Sequence, residues 1–183
     1  MATNKPVEIE QLFGGLTPSG ADDNWFVVHT KPRQEKKLAQ YSRQCAINYF
    51  LPLQDSTKVY NHRKIIFTKP LFPGYIFLRC SAAQKNILFR SGAVVRFIKV
   101  PDEDELLSDL INIYQSTEKH LPLEKHAYLS EGYHVRIKRG PFLDVEGIVV
   151  DSENPEKVII GIHLIQQAVC ITVNPEDVEL LKK

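Results

Sequence analysis

The spacing of apolar and polar positions changes character along the chain. Residues 1–24 mix Pro, Gly, Asp and Asn without a sustained period, which predicts a mobile tail. Trp25-Phe26-Val27-Val28-His29 is a β-prone run, cut by Thr30-Lys31-Pro32. Pro32 suits the first turn of a helix, where a missing N–H leaves no partner unsatisfied. That helix is predicted to run to Gln44, with Leu38, Tyr41 and Cys45 as its buried stripe and Arg33, Lys36, Lys37 and Gln40 on another face. Asn48 to Leu53 reads as a second strand, and the polar, basic stretch 54–70 as a long hairpin or loop. Leu71-Phe72-Pro73-Gly74-Tyr75-Ile76-Phe77-Leu78-Arg79 begins with a turn signal and continues as a strand. A short helix over 82–89, a strand over 94–99 and a helix opening at Pro101-Asp102 follow. Leu106, Leu107, Leu110, Ile111 and Tyr114 give the last helix its apolar side, and Glu105 stands three residues beyond the candidate cap Asp102.

Beyond a charged linker over 118–129 only short strands remain: around Val135–Lys138, 147–150, 158–162 and 169–173, with Gly140-Pro141 and Asn154-Pro155 as turns. The expectation is a mobile tail (1–24), an α+β domain (25–117), a linker (118–129) and a small β-barrel (130–183).

Charge sharpens this division. Residues 25–101 carry fourteen Lys and Arg against only Glu35 and Asp55, a net +12, whereas 102–183 carry −8 and the whole chain only +1. A basic segment of that density fits nucleic acid or an acidic protein surface, and a solvated basic face is the competing reading. No apolar run approaches the roughly 20 residues of a membrane-spanning helix. The start, MATNKPVEIEQLFGG, lacks the basic end and apolar core of a signal peptide. Cys45, Cys80 and Cys170 are scattered, without a CxxC pair, so neither a disulfide framework nor a zinc cage is expected; the compartment expected is the cytoplasm.

No GxGxxG, GxxxxGK[ST], GxSxG or HExxH occurs. His120 and His126 lack a third ligand nearby, and the acids 102–105 complement a helix dipole. The expectation is a protein without catalysis, metal or cofactor. Two stretches carry more. In PLFPGYIFL, Pro73 and Gly74 fix a bend flanked by Phe72 and Tyr75, aromatics that serve equally as cover for the domain's own core or as an anchor for a partner. In HTKPRQEKK, basic residues gather at a strand-to-helix junction, where helix N–H groups also attract phosphate.

WFVVHTKPRQEKKLAQ, YFLPL, PLFPGYIFL and VVRFI resemble the amino-terminal domain of the NusG family of transcription elongation factors; EGYHVRIKRGPFLDVEGIVV and VNPEDVELL resemble that family's KOW domain, an SH3-like barrel. The resemblance covers residues 25–183 in order. It implies an antiparallel sheet with flanking helices that docks on the β′ clamp helices of bacterial RNA polymerase, joined to a KOW barrel, in a monomeric factor that favours elongation. Carried onto this sequence, the docking surface falls on Phe72, Pro73, Gly74 and Tyr75. In specialised paralogues of the RfaH type the first helix also touches the non-template DNA strand, and the matching positions are Lys31, Gln34 and Lys37, with Arg33 nearby. Lys37 replaces an arginine, which keeps attraction to phosphate and loses a planar bidentate contact.

General NusG proteins commonly carry an aromatic followed by Gly-Arg before the last barrel strand, used to reach a ribosomal protein or the termination factor Rho. Here Leu164 precedes Ile165-Gln166-Gln167. The replacement implies a specialised antiterminator serving selected operons. The alternatives are a housekeeping NusG that couples polymerase to Rho or the ribosome, and an RNA- or ribosome-binding KOW protein. The refolding of the RfaH carboxy-terminal domain into helices is not carried over, because the β-branched runs here favour strands.

Overall fold

The computed structural model describes residues 8–60, 63–118, 124–127, 132–149 and 157–182. His120 and the Asn154-Pro155 break lie outside them, as do residues 1–7 of the expected tail and much of the expected linker. The chain divides into two compact units, Met1–Glu103 and Asp104–Lys183.

In the first unit, strands β1 (Leu12–Phe13), β2 (Asn24–Thr30), β3 (Asn48–Phe50), β6 (Tyr75–Cys80) and β7 (Val94–Lys99) form an antiparallel sheet in the order β1-β3-β6-β2-β7. Strands β4 (Leu53–Tyr60) and β5 (Arg63–Pro70) form a separate hairpin, as the basic stretch 54–70 allowed. Helices α1 (Glu35–Gln44) and α2 (Ala82–Arg90) bring Leu38, Ala39 and Leu88 into one core with Phe26, Val28, Tyr49, Ile76 and Leu78. Each of the larger aliphatic and Phe side chains contributes about 2 kcal/mol on leaving water. Helix α2 starts as its sequence dictates: Ser81 Oγ accepts from Gln84 N at 3.3 Å while Ser81 N donates to Gln84 Oε1 at 2.9 Å, a capping box.

Alternate residues of the sheet (Trp25, Val27, Phe50 and Phe77) are buried as well. The described part of the segment expected as a mobile tail is engaged there: β1 pairs with β3, Trp25 Nε1 donates to Thr17 O at 2.9 Å, and Arg79 donates to Thr17 and Pro18. The part-buried indole N–H of Trp25 needs a partner, and this segment supplies its carbonyl.

The second unit holds α3 (Glu103–Glu118, from Asp104 on) and an antiparallel six-stranded sheet. Its strands are β8 (Glu124–Ala127), β9 (Tyr133–Ile137), β10 (Glu146–Val149), β11 (Lys157–Ile162), β12 (Gln167–Thr172) and β13 (Val178–Lys182), in the order β13-β9-β10-β11-β12-β8. Gly147 is required: a Cβ there would lie 2.5 Å from Ile159 O on the paired strand. Helix α3 is tied to this sheet by two backbone donors, Glu146 N to Asn112 Oδ1 at 3.1 Å and His163 N to Asp109 Oδ2 at 3.0 Å. The division between the units falls at the start of this helix, whereas the sequence pattern draws it after 117. Its buried face is Leu106, Leu107, Leu110, Ile113, Ser116 and Thr117; Ile111, expected on that face, is exposed. No helix among the described residues is long and apolar enough to cross a membrane.

Candidate functional site

The functional residues expected in the first unit fall at one place, where β2 passes into α1 beside the loop leading into β6. Lys31 N donates to Ala93 O at 2.8 Å, and Gln34 N closes a turn on Lys31 O at 3.1 Å. Arg33 sits inside that turn at φ +62°, a left-handed conformation that a residue with a Cβ adopts at a cost. The helix therefore begins at Glu35, three residues after the start that Pro32 implied. The buried face of α1 is Glu35, Leu38, Ala39 and Ser42, with Tyr41 and Cys45 at the edge of the core. Lys31, Arg33 and Lys37 are exposed, and Gln34 is half-buried.

The bend follows from its own sequence. Tyr75 N donates to Phe72 O at 3.2 Å, Pro73 takes the second position and Gly74 has φ +87°. That combination marks a type II turn, in which Pro presets the second residue and Gly alone enters the third without strain. Phe72 is 3% exposed and so lies within the unit's core, supporting the bend from beneath. Tyr75 is partly exposed, and its ring lies 5.3 Å from that of His29, its cross-strand partner.

Turn and helix are joined through Gly74. Its carbonyl accepts from Thr30 N at 2.8 Å, and its N–H donates to Glu35 Oε1 at 2.7 Å. Glu35 is 5% exposed. Next along the helix, Lys36 Nζ donates to the carbonyl and hydroxyl oxygens of Thr68 in β5 at 2.8 and 2.7 Å. Burial lowers the pKa of this ammonium, an effect Glu8 opposes. His29, Glu35 and Lys36 are not among the site residues that the sequence pattern predicts. A signal did exist for Glu35: it is one of two acids in a segment of net charge +12.

In the second unit Ile165 and Gln166 lie between β11 and β12, and Gln167 follows them. Ile165 ends a 3₁₀ turn (His163–Ile165), Gln166 is exposed at φ +50°, and Gln167 opens β12 opposite Ile162. Gln166 thus holds a left-handed position that glycine fills without strain.

These places present exposed cations, an aromatic pair and a shaped turn. Burial pushes the Cys80 thiol up to about 11, which keeps it protonated at neutral pH. Among the described residues no group of three or more His, Cys, Asp or Glu is arranged to hold a metal ion.

Residues 23–117 match the family model described as "Transcription termination factor nusG". The chain is 23% identical over 179 residues to the transcription termination/antitermination protein NusG of Borreliella burgdorferi, covering 85% of this chain and 97% of that protein. It is 26% identical over 158 residues to the protein of the same name from Thermus thermophilus, covering 73% and 84%. Among solved structures it is similar to the MjSpt4:Spt5 complex in conformation B, at 18% identity over 87% of this chain and 97% of that one, with a TM-score of 0.27. The matched segment runs from β2 through α3 and takes in the bend and the basic turn on the way. With over half of its length matched, the chain belongs to the NusG family of transcription termination/antitermination factors.

Proposed function

We propose that this chain is a non-catalytic elongation factor that binds bacterial RNA polymerase at the β′ clamp helices and promotes antitermination on selected operons. The observation that carries the reading is the joining of the basic turn to the aromatic bend, Thr30 N to Gly74 O at 2.8 Å, within the family-matched segment. Tyr75, seated on His29, offers the docking ring, with Pro73 and Gly74 shaping the approach and Phe72 supporting it. Lys31, Arg33, Gln34 and Lys37 face the non-template DNA strand. The six-stranded sheet of the second unit serves as an SH3-like KOW barrel whose partner loop is Ile165-Gln166-Gln167. The factor works as a cytoplasmic monomer and needs no cofactor.

Loss of an aromatic and an arginine from that loop removes a rigid contact area and a multi-donor anchor, which supports the specialised role. The alternative is a housekeeping role that couples polymerase to Rho or to a ribosomal protein; the matched relatives are named for termination as well as antitermination. Rho-dependent termination in vitro separates the two. The unmodified chain is expected to oppose Rho, and an Ile165→Phe/Gln166→Gly/Gln167→Arg variant to restore coupling. Strong stimulation of Rho by the unmodified chain overturns the specialised reading.

A further inference from the structure

We propose that Glu35 is a positioning residue: by accepting the Gly74 N–H it selects the turn type of the bend beside Tyr75, and so the backbone groups that the bend shows to the polymerase, without itself touching the partner. The inference rests on the polymerase-docking reading above.

The Gly74 N–H belongs to the central peptide of the turn Phe72–Tyr75. Rotating that one peptide by about half a turn interconverts types I and II, and a Pro-Gly pair is compatible with both. In type II the central N–H points to the opposite side of the turn from type I. Here it points into the protein and meets Glu35 Oε1 at 2.7 Å, while the Gly74 carbonyl is held by Thr30 N at 2.8 Å. The peptides on both sides of Gly74 are thereby fixed, and φ stays at +87°.

Burying a carboxylate costs free energy unless hydrogen bonds compensate. Glu35 is 5% exposed and spends this bond on a turn 39 residues away, a charge-assisted contact stronger than a neutral one. Without it the Pro73-Gly74 peptide is free to flip. Tyr75 stays in β6 opposite His29, so the flip leaves its ring in place and turns over the Pro73 carbonyl and the Gly74 N–H beside it, which changes the docking surface.

The test uses the full chain with Glu35→Gln and Glu35→Ala, each alone and with Tyr75→Ala. Amide exchange at Gly74 is followed by NMR, thermal stability by Trp25 fluorescence, and affinity on bacterial RNA polymerase elongation complexes. Glu35→Ala is expected to speed Gly74 exchange and to weaken polymerase binding, each about tenfold. Glu35→Gln keeps an acceptor oxygen and is expected to stay within about twofold of the wild type. In the Tyr75→Ala background, Glu35→Ala is expected to add less than about twofold, because both act through one contact. A folded Glu35→Ala chain that binds like the wild type overturns the inference, as does an undiminished loss in the Tyr75→Ala background. A wild-type chain that fails to bind removes the docking reading and the inference together.

Discussion

Lys36 Nζ bridges the carbonyl and the hydroxyl of Thr68, at 2.8 and 2.7 Å, and so fastens the base of the β4–β5 hairpin to the first turn of α1. The hairpin carries Val59, Ile65 and Ile66 at 67%, 52% and 71% exposure, so little apolar packing holds these positions in place. Lys36→Met keeps the aliphatic stem and removes both hydrogen bonds. It is expected to cost about 1 kcal/mol and lower the melting temperature by a few degrees, with faster amide exchange along β5. Thr68→Val, which removes only the hydroxyl acceptor, is expected to show a smaller loss in the same melts.

Arg33 occupies a left-handed conformation in the exposed turn before α1, at φ +62°. Strain of this kind is characteristic of binding sites, where the side chain is needed despite its backbone cost. Arg33→Gly is expected to stabilise the chain by about 1 kcal/mol while reducing crosslinking to the non-template strand in elongation complexes. The salt dependence of wild-type crosslinking is expected to be steeper than that of the variant, since one cation fewer releases counterions. Greater stability with unaltered crosslinking removes Arg33 from the nucleic-acid surface.

Gln166 presents the same conflict in the second unit, at φ +50°. Gln166→Gly is expected to raise stability by about 1 kcal/mol, read from chemical denaturation followed by far-UV circular dichroism. Gln166→Val is expected to lower it, because a β-branched residue resists positive φ.

Asp109 gives the second unit a pH dependence. Burial raises its carboxyl pKa to about 6, although the His163 N–H bonded to it acts in the opposite direction. The proton is therefore held more tightly in the folded state than in the unfolded chain, whose carboxyl titrates near 3.9. The protonated form favours folding: this contribution is complete below the unfolded pKa and is lost as pH rises through about 6. Stability is expected to rise by roughly 1 kcal/mol between pH 7 and pH 5, and Asp109→Asn to flatten that slope. Urea denaturation at the two pH values measures the difference.

What was legible in the sequence is what is local. The short helix after Ser81 and the strands around Val27, Phe77 and Ile160 announce themselves by their own side chains. The bonds that build the site are not local: Glu35 reaches a turn 39 residues away and Lys36 a strand 32 residues away. In the sequence both are simply members of a charged segment, and α1 reads from Pro32 because nothing there marks Arg33 as left-handed. Strand β8, with the sequence Glu-Lys-His-Ala, lacks any β-branched residue and fell within the expected linker; its pairing with β12 supplies what propensity does not. Phe72 and Tyr75 read alike as flanking aromatics. Only the fold separates the buried ring from the partly exposed one.

The central claim, that the bend docks this chain on RNA polymerase, is tested most directly by titrating the labelled full-length chain with bacterial RNA polymerase elongation complexes, alongside Tyr75→Ala. Saturable binding is expected for the wild type. Tyr75→Ala is expected to bind about thirtyfold more weakly, as truncation of an aromatic anchor does, with an unchanged Trp25 melting profile. Equal affinity of the two folded chains, or binding to ribosomes without binding to polymerase, would contradict the claim.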